Sequence, residues 1–373
     1  MLRLAFRNLF QSRARLAITS GGVALSLLLI LALEAIFQGV EKQVTAYIDQ
    51  SGADVFVAQE GVRNMHMASS SLPPESQQEV ARIAGVESVT PILYVTNVVS
   101  IGESRNVAYI IGLPDGAAAG GPARVVEGRA TPGPGEALID RGIAAKAEVG
   151  IGDTVKILGR TFTIGGLTTG TVNLVSSVAF ISMVDFEQAR GGSLSPSFLL
   201  VRAQPGVSPA DLAARIEAEV GRVTAQPTGD FAAQERRVIR DMSTDLLAIM
   251  NLVGLMIGLA VMALTTYTAT LGRRAEYGVL KALGATNVNL LGTVVLQALL
   301  SVALGFATGL GLTYLLAAVV PLTGVNLLLR VTGGSLLKVG AVSLLIAGVS
   351  ALLPVVQIAR LDPAQVFRGG LAR

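Results

Sequence analysis

Leu246 to Leu271 carries no charged residue, and after Lys281 none appears until Arg330. As a helix, the 26 residues of the first run reach about 39 Å at 1.5 Å per residue. The hydrocarbon core of a bilayer is about 30 Å thick. Within lipid every backbone N–H and C=O must find a partner in the chain itself, so such runs become helices. Composition agrees: charged residues make up 15% of the 373, against roughly 25% in soluble domains.

The spacing predicts four spans. The first covers 16–38, preceded by Arg3, Arg7, Arg13 and Arg15 and uncharged for 18 residues up to Glu34. Its apolar core is longer than the 7–15 residues of a signal peptide and "LALEAIF" is a poor cleavage site, so it reads as a retained signal anchor. The others cover 246–271, 288–320 and 336–359, the third stopping at "PLTG" with an outer loop over 321–335. Residues 1–15 read as an amphipathic elbow and 360–373 as a tail. A fifth span could fit between Ala285 and Leu329, but it would separate the Arg-rich ends. With four, both ends and the 272–287 loop share one side, carrying ten Lys/Arg against two acids. That satisfies the positive-inside rule and predicts cytoplasmic termini in a multi-pass membrane protein.

Residues 39–245 form one long insert with 17 Lys/Arg and 23 Asp/Glu, so the basic pI of 9.3 does not reflect a nucleic-acid surface. "ADVFVAQ", "PILYVTNVVSI", "RNVAYIIGL" and "TVKILGRTFTIGGL" are β-rich runs bounded by turn residues. "PPESQQEVARIAGV" predicts a helix ended by Gly85. "VSPADLAARIEAEVGRV" predicts another, with Ser208 as N-cap, Pro209 in the first turn and Asp211 closing a capping pair. The fold class expected is an α-helical membrane protein of four spans with a large α+β extracytoplasmic domain between spans one and two.

No catalytic or metal constellation is visible. The chain has no Cys and one His, His66, which excludes thiolate and paired-histidine metal sites. No Gly is followed by Lys, so a Walker A loop is absent, and if energy is used a partner supplies it. "NMHMASS" sets His66 between Met65 and Met67, types that ligate haem iron and copper. A surface loop is the simpler reading, since one unpaired His is weak metal evidence. Glu34 near the outer end of the first span either reaches water there or lines a substrate pocket beside the second span. Gly254-x-x-x-Gly258 and Gly305-x-x-x-Gly309 suit close helix contacts, within one subunit or between two.

Between the second and third spans lies "RRAEYGVLKALGAT", a helix-forming insert with Tyr277, Leu280 and Leu283 along one stripe and Gly284 as its stop. It could lie on lipid phosphates as an interfacial helix. Residues 273–285 also resemble the R-x-x-E-φ-G-φ-L-[KR]-A-φ-G-A signature of FtsX-like ABC permeases, the MacB/LolCE or type VII class. "LAFRNLFQSRARLAITSGGVALSLLLIL" is similar to that family's elbow and first span. "GEALIDRGIAAKAEVGIGDTVKILGRTFTIGGL" is similar to its core domain, and "IARLDPAQVFRGG", with Asp362-Pro363 opening a short helix, to its tail.

The resemblance implies that the insert is a coupling helix docked on a cytoplasmic ATPase dimer, with Arg273, Arg274, Glu276, Tyr277, Leu280 and Lys281 at the contact. It implies mechanotransmission by a pair of permeases, this chain with a copy or a paralogue, and a periplasmic membrane-fusion adaptor as a further candidate partner. "VFVAQEGVRNMHMASSSLP" resembles the DevC/HrtB-like subgroup of glycolipid and haem exporters. That adds Met65, His66 and Met67 to Glu34 as candidate substrate contacts, with haem as cargo and not cofactor. Export of an amphiphile is the first reading. Signalling to a cell-wall hydrolase is the alternative, weakened by the large insert, and a membrane enzyme is a distant third.

Overall fold

A computed structural model describes residues 13–170, 177–192, 194–323 and 327–359. The elbow up to Ser12 and the tail from Arg360, including the expected Asp362-Pro363 helix, lie outside the described residues. The chain forms two compact units.

Among the described residues four helices are long and apolar enough to cross a membrane, which is the predicted number, and the first unit holds most of their length. They are α1 (Arg13–Val44), α7 (Thr228–Leu271), α9 (Asn287–Val319) and α10 (Gly333–Ala359). A short helix, α8 (Arg274–Ala282), lies between α7 and α9. The core of this unit gathers Val23, Leu27, Ile30 and Leu31 of α1 with Met262, Val302, Val339 and Ile346 of the other three.

Glycines set how closely those helices approach. A Cβ on Gly254 would lie 2.6 Å from Ile30 Cγ1, and one on Gly258 2.7 Å from Ser26 Oγ. A Cβ on Gly305 would meet Val23 at 2.7 Å and the Ser20 carbonyl at 3.1 Å. On Gly309 it would meet the backbone carbonyl of Ala24 at 2.9 Å. Both glycine pairs therefore seat α1 within a single chain, the intrachain option of the two the sequence left open. The hydroxyls of Thr266, Thr270, Thr313 and Ser343 donate to carbonyls four residues back at 2.6–2.9 Å, so these polar groups enter the apolar bundle already paired.

The second unit is the inserted domain, with residues 321–328 of the later loop. Its sheet is mixed, which makes the domain α+β. The strands are β1 (Val55–Gln59), β2 (Val86–Ile101), β3 (Ser104–Leu113), β4 (Arg124–Gly128), β5 (Glu136–Asp140), β6 (Thr154–Ile157), β7 (Arg160–Thr169), β8 (Ser177–Ser182), β9 (Phe198–Ala203) and β10 (Val223–Pro227). Their order is β10-β1-β9-β2-β3-β8-β5-β7-β4, with β6 paired to β2 and β7. The 16-residue β2 holds the sheet together. Its first half pairs with β9 and its second with β3, antiparallel in both cases. Contacts β3–β8 and β5–β7 are parallel. Strands β6 and β7 turn over Leu158-Gly159, both at positive φ, as a two-residue hairpin needs.

Short helices cover the sheet: α2 (Ala46–Gln50), α3 (Ser76–Ala81), α4 (Arg141–Lys146), α5 (Met183–Arg190) and α6 (Pro209–Glu219). Ser208 caps α6 by accepting from the Asp211 N–H and Pro209 fills its first turn, as the sequence implied. α3 stops at Ala81, short of the predicted Gly85, which sits beyond it at φ +99°.

The start of α7 belongs to this domain's core. Phe231 stacks on Phe56 with centroids 4.8 Å apart and is buried with Phe180, Phe198 and Met65. The Arg240 guanidinium forks onto both Glu41 carboxylate oxygens at 3.0–3.1 Å, joining α7 to the end of α1. α7 is thus one 44-residue helix, about 66 Å long at 1.5 Å per residue, packed at one end and apolar at the other.

Candidate functional site: the helix between the second and third spans

α7 ends at Leu271, and Gly272 and Arg273 close it with N–H bonds to Thr268 and Thr270 carbonyls. After one turn α8 begins. It ends in a Schellman closure: the Ala285 N–H donates to Leu280 O and the Gly284 N–H to Lys281 O, with Gly284 at φ +95°. Thr286 then caps α9 by accepting from the Asn289 N–H. The "GAT" of the sequence is therefore a stop and a restart within three residues, and it leaves little slack between α8 and the third span.

The two faces of α8 differ from expectation in one place. Tyr277 was expected among the ATPase contacts, but it is 4% exposed and packs with Leu290 and Val294 of α9. Burial pushes its hydroxyl pKa up, with Arg273 nearby lowering it and Glu276 raising it. Tyr277 is the pin of this hairpin, because a large ring gains most from the apolar side of the turn. The outward face carries Arg274, Glu276, Val279, Leu280 and Leu283, and Leu283 is 79% exposed. Arg273 and Lys281 sit at its edge, half-buried. Val279 was missed by the sequence reading, although its i, i+4 spacing to Leu283 could have found it.

The candidate substrate contacts fall apart into separate places. Glu34 accepts from Lys338 Nζ at 2.9 Å, so its partner is α10, whereas the pocket expected for it lay beside the second span. Nearby the Arg330 N–H donates to the Ala35 carbonyl at 2.9 Å. His66 is not the side chain of an open surface loop. It is 8% exposed, with Nδ1 2.6 Å from Glu235 Oε1 of α7. Glu235 also accepts from the Met65 N–H at 2.7 Å, and the Tyr109 ring lies 4.3 Å from the imidazole. Met65 is core and Met67 is 63% exposed, so the Met-His-Met stretch offers no common ligand face. Among the described residues no three His, Asp or Glu side chains gather as a metal site.

A multi-pass membrane protein with an α+β domain between its first two spans, and a pinned helix between the next two, is the architecture of a transporter's membrane subunit. The profile of the MacB-like periplasmic core domain matches residues 16–219, and that of the FtsX-like permease C-terminal region matches 248–363. The chain belongs to the FtsX/MacB type of ABC transporter permeases. It is 24% identical over 376 residues to an uncharacterised ABC transporter permease of Mycobacterium tuberculosis, covering 99% of this chain and 100% of that one. It is 22% identical to another from Methanocaldococcus jannaschii, covering 99% and 98%. Among solved structures it is similar to the periplasmic region of MacB from Actinobacillus actinomycetemcomitans, with a TM-score of 0.37 and 13% identity, covering 51% of this chain and 96% of that one.

Proposed function

We propose that this permease exports an amphiphilic substrate by mechanotransmission, driven by a cytoplasmic ATPase that grips the outward face of α8. The observation that carries this reading is the continuity of α7. Its first turns are core of the inserted domain, and its last turn leads directly into α8. A helix held at both ends carries displacement with little loss, because bending it requires breaking backbone hydrogen bonds. Movement imposed at α8 would reach the β-sheet domain without any channel through the bilayer.

Export of this kind needs two permeases, and α7 is the span least covered by its own chain. Some 17% of its apolar window is buried, against 39% for each of the other three. Leu246, Ile249, Val253 and Met256 line an exposed stripe at alternating spacings of three and four, the pattern of a helix seam. The inserted domain would face the periplasm and α8 the cytoplasm.

The test is a flexible break. Gly-Ser-Gly-Ser inserted between Met242 and Ser243 should leave ATP hydrolysis by the reconstituted complex intact while ATP-dependent release of amphiphile from proteoliposomes disappears. Undiminished release would overturn mechanotransmission. Native mass spectrometry of the same complex should count two permease chains, and a single copy would remove the paired arrangement. Orientation is checked in intact cells: a cysteine at Ser104 should react with an impermeant maleimide and one at Ala275 should not. Labelling at Ala275 would invert the topology.

A further inference from the structure

One cavity in the inserted domain has no role in the reading above. It encloses about 690 Å³ between the end of α1 with α2 on one side and α4 on the other, with Leu328 of the later loop as part of its wall. That volume falls in the usual range of small-molecule sites, roughly 300–1,000 Å³. It suits the head portion of an amphiphile and is too small for a folded partner.

The charges lining it are unevenly committed. Asp49 accepts from the Thr45 hydroxyl at 2.8 Å and lies 3.9 Å from Arg236. Asp140 caps α4 by accepting from the Gly142 N–H at 2.6 Å. The Gln50 amide donates to the Gly170 carbonyl at 3.0 Å. The acids and the amide are thus used by the fold itself. Lys42 and Arg141 line the same cavity and, among the described residues, have no carboxylate partner. Lys42 and Arg141, which make no ion pair with the Asp49 and Asp140 carboxylates of the same cavity, together with Ala46, Ala145 and Leu328 fit an anionic group joined to an apolar chain.

A second observation fixes one wall of the cavity. Leu328 presses so closely on α1 that a Cβ on Gly39 would collide with its carbonyl oxygen. Only glycine permits that approach. Lys42, one turn further along α1, therefore lines the cavity beside a wall residue whose backbone is fixed on the same helix.

We propose that this cavity binds the anionic headgroup of an amphiphile, phosphate or carboxylate, through Lys42 and Arg141, with Leu328 as a fixed part of its wall. The inference deepens the export reading and rests on it only in calling the bound molecule cargo. Binding is therefore measured on the purified full-length chain, without ATPase, in phosphatidylcholine nanodiscs titrated with fluorescent phosphatidic acid. The double variant Lys42→Gln/Arg141→Gln should lose affinity roughly tenfold or more, the scale of a lost charge-assisted hydrogen bond. Lys146→Gln, on α4 but outside the cavity, removes a charge without touching the site and should bind as wild type. Equal affinity of wild type and double variant overturns the site, and an equal loss in Lys146→Gln reduces it to general surface charge. Inorganic phosphate should compete only weakly. Full displacement by phosphate at comparable concentration would make this a site for the free anion and overturn the amphiphile. Binding intact with no ATP-driven release would end the export reading and leave the site standing.

Discussion

Glu276→Lys and Leu280→Asp should each abolish co-purification of the partner ATPase from detergent extract, at matched permease expression. Both residues are on the outward face of α8, and neither supports the hairpin beneath. A docked helix buries a few anchors at the centre of its contact, and these carry most of the binding energy. Reversing the charge of a desolvated group, or placing a carboxylate where an apolar knob seats, costs about 2–5 kcal/mol. Leu283→Asp should behave the same way. Arg273→Ala, at the edge, should cost much less. Tyr277→Ala separates docking from folding: it should lower the thermal stability of the permease by about 3 kcal/mol and weaken the ATPase complex with it, because the pin is lost. Full retention of the ATPase by Glu276→Lys and Leu280→Asp would return α8 to an interfacial helix resting on lipid.

The second large effect is expected inside the membrane. Gly309→Val should destabilise the helix bundle by about 3 kcal/mol or more, because its Cβ would press on the Ala24 carbonyl, which cannot turn aside as a side chain can. Gly311→Val is the control, since a Cβ there meets nothing within 4 Å. Thermal unfolding of the two purified variants, followed by fluorescence-detected size exclusion, decides it. Similar midpoints would show that the bundle is looser than α1 and α9 make it.

The four spans were legible because length and absence of charge suffice to define a membrane helix, independent of neighbours. The β-runs around Leu158-Gly159 were legible for a related reason: alternation and turn residues are local. β8 was not, since all six of its residues are buried and a short continuous apolar run has no period to read. The site was legible as a helix but not as a pair of faces. Tyr277 and Leu280 are three apart and share a stripe, yet α9 takes one and leaves the other 37% exposed. His66 shows the limit most plainly. Its partner Glu235 also accepts from a main-chain N–H 170 positions away, and no local pattern signals a contact at that separation.

The continuity of α7 also makes rotation a coordinate of this protein. Each residue of a helix advances the azimuth by about 100°, so the number of residues between two positions of α7 fixes the angle between the directions their side chains face. Adding or deleting a single residue near Met242 would keep the rod rigid and nearly the same length, yet misalign its ends by more than a quarter turn. Adding seven would lengthen it by about 10 Å and restore the alignment to within about 20°. Under the mechanotransmission proposed above, chain length in this segment is constrained in phase rather than in reach, and twist about the helix axis, as well as travel along it, would carry the signal.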